Sequence, residues 1–146
     1  MSRLELLRKQ SSKIAVNQTQ RKEHISLSWK YMTVNKNHTF EYFQKDMRKE
    51  VRAWRELSEL IRHLNQSTWQ NALSVSKYQK YGAETLESSC LKFSPKDYTF
   101  TSDQKVIVFR FGQGNDYRLI GVKGTDSNIL YVIGYDFDFT AYNHGS

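Results

Sequence analysis

A chain of 146 residues is the length of one domain, long enough to bury a core without staples. With 38% hydrophobic and 14% aromatic residues it reads as globular rather than disordered, and its single cysteine, Cys90, excludes internal disulfides and cysteine-rich zinc sites. The formal charge of +7 is lopsided: residues 1–66 carry fourteen Lys and Arg against seven Asp and Glu, whereas residues 101–146 carry four against five. A basic half of this kind suits a polyanionic partner such as nucleic acid.

The opening residues MSRLELLRKQSSK contain no apolar run of signal-peptide length, and no later stretch approaches a membrane span, so a cytoplasmic protein without membrane contact is expected. Residues 1–23 read as a basic flexible arm, with Lys9, Lys13, Arg21 and Lys22 available to phosphates. Period-two alternation at Ile25, Leu27, Trp29 and Tyr31, followed by Asn35-Lys36-Asn37, predicts a β-hairpin over about 24–43.

From Lys45 to Leu64 the period lengthens. Met47, Val51, Trp54, Leu57, Ile61 and Leu64 recur at spacings of three and four, which predicts a helix with Trp54 in the core. Its other side carries Arg48, Arg52, Arg55 and Arg62, either as a solvated face paired with Glu59 or as a phosphate-binding surface. Ser67 and Gln70 fit a capping box opening a short helix to about residue 76, so residues 24–76 hold the hairpin and both helices. The stretch YQKYGAETLESSCLKF has no clear period, and its Cys90 reads as a small buried hydrophobe.

Three β-rich runs follow at 106–111, 117–123 and 129–137, separated by GQGND and GTDSN, so residues 98–144 read as an antiparallel sheet. The expected architecture is α+β in a single domain spanning 1–146. An N-terminal hairpin and two helices pack on a C-terminal antiparallel meander of three to four strands, with Phe137 and Phe139 in the core.

Candidate chemistry gathers on that sheet. Arg110 and Arg118 share strand faces with β-branched residues, and Lys123 follows, so all three are candidates to hold phosphates; Arg118 could equally pair with Asp116. His144, the only histidine in the C-terminal half, can exchange a proton near neutrality, and Tyr142 is its nearest hydroxyl. Asp136 and Asp138 beside His144 are too few ligands for a metal site, and GQGND lacks the phosphate-loop pattern, so no metal or cofactor is expected.

The glycine-bearing turn followed by DYRLI, then ILYVIGYDFDFTAY and a terminal histidine, resembles the ending of the RelE/ParE-type toxin superfamily. Where that family has a late His-Arg pair, this chain has Tyr135-Asp136. The resemblance implies a metal-independent endoribonuclease acting on RNA at the ribosome, with an acidic antitoxin partner. Arg110, Arg118 and Lys123 would hold phosphates, and Tyr142 or His144 would protonate the leaving oxygen. The alternatives are a non-catalytic nucleic-acid-binding protein using the basic half, and a protein-interaction module such as a phage or mobile-element host-takeover factor.

Overall fold

The β-branched and aromatic runs of the last third become the centre of a mixed five-stranded sheet in a computed structural model that describes residues 2, 3, 5 and 23–144. The strands are β1 (Ser26–Ser28), β2 (Ala83–Glu87), β3 (Lys105–Phe111), β4 (Tyr117–Lys123) and β5 (Ile129–Asp136), in the order β1-β5-β4-β3-β2. Four of them pair antiparallel, and β1 alone runs parallel, to β5. Among the described residues two helices, α1 (Met47–Asn65) and α2 (Trp69–Leu73), pack with the sheet in an α+β fold. Among the described residues no helix is long and apolar enough to cross a membrane.

The hairpin expected at 24–43 does not form. Its first strand stops at Ser28 and borrows β5 as a partner, with Ser26 opposite Ile129, and the chain meets β5 again where the Thr33 amide donates to the Ile133 carbonyl. The turn chemistry of Asn35 serves a helical turn instead. Asn35 and Thr39 accept from the amides of Asn37 and Glu41, capping 3₁₀ turns at Lys36–His38 and Phe40–Phe43. The antiparallel sheet also gains the unexpected edge strand β2, whose AETLE sequence alternates too weakly to declare itself.

Helix α1 starts where Asp46 accepts from the Lys49 amide, and its last turn carries Arg62 and His63, which suit the negative end of the helix dipole. Its buried stripe is Ala53, Leu57, Leu60 and Leu64, packed on Phe109, Phe111, Leu119 and Leu130 of the sheet. Met47, Val51 and Trp54, expected in the core, are exposed. Both stripes have helical spacing and share Leu57 and Leu64, and the small Ala53 allows the helix to approach the sheet. For α2, Thr68 rather than Ser67 is the cap, and Ser67 donates to the His63 carbonyl.

The opposite sheet face carries Val106, Val108, Ile120, Val122 and Ile133. No helix covers it. Phe93 lies over it from the loop after β2, and Ala141 and Tyr142 cover it from the C-terminal tail, joined where the Lys92 amide donates to the Ala141 carbonyl. A Cβ at Gly134 would lie 2.7 Å from the Phe93 ring, so glycine is what lets that ring lie on the sheet. Cys90, expected to be buried, is exposed in a 3₁₀ turn.

Candidate functional site

At one end of the tail-covered face, four charged side chains cross the sheet in sequence: Glu84 on β2, Arg110 on β3, Arg118 on β4 and Asp136 on β5. Arg110 and Arg118 are direct cross-strand partners, as are Arg118 and Asp136. Like charges directly opposite destabilise a sheet, and here the two carboxylates bracket the arginine pair. Glu84 lies 3.9 Å from an Arg110 Nη, while an Arg118 Nη donates to the Asn115 and Tyr117 carbonyls rather than to Asp116. Each arginine keeps a buried Nε without a partner among the described residues.

The tail is tied to this row through Asp136. Its carboxylate is fully buried and accepts from the amides of Thr140 at 3.0 Å, Ala141 at 3.2 Å and Asp138 at 3.4 Å. The same carboxylate lies 2.7 Å from His144 Nε2. The turn it creates ends the alternation that placed Phe139 in the core: Phe137 stays buried, but Phe139 takes a left-handed φ of 62° and is 49% exposed. The Arg118 guanidinium stacks 5.5 Å from the Phe139 ring, and the His144 imidazole meets the same ring edge-on.

Tyr142 stacks on His144 with ring centres 3.9 Å apart, and its hydroxyl donates to Glu84 at 2.9 Å. Burial pushes the phenol's pKa well up, and the bond to Glu84 and that carboxylate's charge push it further. Tyr142 is therefore held as a neutral donor and makes a poor acid. His144, partly exposed and oriented by a buried carboxylate, is the better-suited proton carrier, and its Nδ1 bonds no described residue. Arg110, Arg118, Tyr142 and His144 thus converge, whereas Lys123 lies over the Trp69 ring on the helix side of the sheet. Asp138 accepts from the Thr140 hydroxyl, and among the described residues no group of three His, Cys, Asp or Glu is arranged to hold a metal ion.

The second candidate is the outer face of α1. Arg48, Arg52, Arg55 and Arg62 are all exposed, and none forms an ion pair with a described residue. Glu59, the partner expected for them, faces Lys80 at 4.0 Å. Arg62 suits the helix C-terminus, but Arg48 lies in the first turn, where a positive charge opposes the dipole. Arg52 and Arg55 also line a cleft of about 400 Å³ against Lys80, Tyr81 and Gln113. Lys9, Lys13, Arg21 and Lys22 lie outside the described residues.

Two features escaped the sequence reading. Glu84, which bridges Arg110 and Tyr142, belongs to a strand that was not expected. The other is an aromatic cleft lined by Trp29, Phe40, Trp54 and Tyr135, whose sequence signal was a tryptophan flanked by arginines on a helix. No protein-family model, curated protein or solved structure matches this chain.

Proposed function

We propose that the protein binds single-stranded nucleic acid through the outer face of α1. The observation that supports this most is the row Arg48, Arg52 and Arg55, exposed and without ion-pair partners among the described residues. A solvated helix face is normally laced with i,i+4 pairs, and helix stability gives no reason for cations in the first turn. Guanidinium forks match phosphate oxygens, and the exposed Trp29 and Trp54 offer base-stacking surfaces of the kind single strands use. Fluorescence anisotropy of labelled RNA and DNA oligomers tests the reading. Affinity should fall steeply with salt, and R48A/R52A/R55A should weaken binding to all sequences alike; salt-independent binding, or none, contradicts it.

A second reading is favoured by the 2.7 Å contact of His144 with the buried Asp136: metal-independent RNA cleavage of the toxin type, with the ribosome and an acidic antitoxin as partners. In it the 2′-oxygen attacks phosphorus, the P–O5′ bond breaks, and protonated His144 gives its proton to the departing oxygen while the 2′-proton passes to solvent. Arg110 and Arg118 would offset the phosphorane charge once Phe139 moves aside. His144→Gln should lower single-turnover cleavage by roughly 10²–10⁴ in EDTA with the melting curve unchanged. Absence of cleavage with ribosomes present leaves the binding protein alone.

A further inference from the structure

A cleft of about 520 Å³ opens between the segment after β1 and the first half of α1. Trp54 forms one wall. One face of its indole lies flat on Phe40, with ring centres 3.8 Å apart and planes 15° apart, and with 48% of the residue exposed the other face is available to a ligand. Trp29 also lines the cleft and donates its indole N–H to the Tyr135 hydroxyl at 2.7 Å.

That bond leaves Tyr135 with an unused donor. The residue is only 2% exposed, its oxygen accepts from Trp29, and no described residue accepts the phenol's own proton. Burial pushes its pKa up to about 12 despite the Trp29 bond, so the proton stays in place. Because Tyr135 lines the cleft, that proton can be donated to an acceptor atom on a ligand. Elsewhere the lining supplies two carboxylates, Glu41 and Glu50, and the Lys36 ammonium. Val51, one helical turn before Trp54, lines a second cleft of about 370 Å³ with Arg48, Arg52 and Arg55 on the same helix.

We infer that the cleft is a pocket for one unstacked base of the single strand whose phosphates lie along Arg48, Arg52 and Arg55, an inference that rests on the nucleic-acid reading above. The base stacks on the open face of Trp54, and Tyr135 donates to its carbonyl oxygen or ring nitrogen. Glu41 and Glu50 repel phosphate, so the base enters and the backbone stays outside. The same carboxylates accept from an exocyclic amino group, which favours cytosine, adenine or guanine over uracil. The volume falls within the range of small-ligand sites.

The test compares oligo(C), oligo(U) and an abasic oligomer of equal length by anisotropy and by quenching of tryptophan fluorescence. Oligo(C) should bind most tightly. Trp54→Ala and Tyr135→Phe should each weaken oligo(C) binding about tenfold, towards the abasic value, with the salt slope unchanged. Both variants should fold, because Trp54 is half exposed and the phenylalanine keeps the buried ring; thermal melts check this. If both bind oligo(C) like wild type while R48A/R52A/R55A still weakens binding, the base pocket falls and the nucleic-acid reading stands. If no oligomer binds, both fall. Binding of N-acetyltryptophanamide, followed by NMR shifts of the protein's own labelled indole N–H signals, that oligo(C) does not compete away assigns the cleft to an aromatic side chain of a protein partner and overturns the base pocket.

Discussion

The protein carries two sets of arginines, and their surroundings separate what each can do. Arg110 and Arg118 lie inside a charged row closed by Glu84 and Asp136, with Arg118 only 5% exposed beneath Phe139. Arg48, Arg52 and Arg55 stand on a helix face with no ion pair to a described residue. Enclosed guanidinium groups mainly organise the protein around them: Arg118 donates to local carbonyls, and Glu84 offsets the charge of Arg110. Unmatched, exposed ones keep their hydrogen-bonding capacity for a partner. Burial and pairing, more than residue type, distinguish a scaffold from a binding surface here.

The comparison breaks most visibly at Asp136. Replacing it with Ala leaves the part-buried amide of Thr140 and the buried amide of Ala141 without their acceptor and removes a carboxylate from the arginine row, so a loss on the order of 3–5 kcal/mol is expected in urea melts. A near-neutral result would show that the tail does not depend on this knot. Next come the two stripes of α1. Leu57→Ala should cost about 2–5 kcal/mol, whereas Trp54→Ala, half exposed and held mainly by Phe40, should cost about 1 kcal/mol. Equal losses would mean that the helix packs through both faces.

The enclosed tyrosines sharpen the contrast through pH. The pKa values of Tyr135 and Tyr142 are both raised in the fold, so the folded state keeps protons that the unfolded chain releases. Their contribution is therefore complete below the ordinary tyrosine value of 10.0 and is lost as pH rises from there towards the folded values, about 12 for Tyr135. Melting temperatures should fall across that alkaline window, and less steeply in Tyr135→Phe; a flat profile would contradict the enclosure. The smallest expected effect is on the stability of R48A/R52A/R55A, where each exposed substitution should stay within about 0.5 kcal/mol.

Local signals were legible in the sequence, and distant ones were not. The β-branched runs at 106–111 and 117–123 alternate within a few residues and are bounded by Gly-Asn-Asp chemistry, so strand and turn could be read together. The partner of β1 could not be read, because parallel pairing of Ser26 with Ile129 depends on a residue about a hundred positions away. The helix itself was visible at 45–64 against the observed Met47–Asn65, but two stripes of equal spacing compete within it, and only the sheet beneath selects Ala53 over Trp54. That choice also hid the aromatic cleft. For the tail, the spacing of Asp136, Tyr142 and His144 suggested a cluster, while the role of Glu84 required knowing that β2 pairs with β3.

The most direct test of the central claim is the salt dependence of single-stranded RNA binding, measured for wild type, R48A/R52A/R55A and Arg110→Ala. Wild type should give a straight log–log plot, and the triple variant should lose about 0.7 of slope for each of three phosphate contacts, about 2 in total. Arg110→Ala should leave the slope unchanged. A triple variant with the wild-type slope, or a slope that collapses instead on loss of Arg110, would contradict the assignment of binding to the outer face of α1.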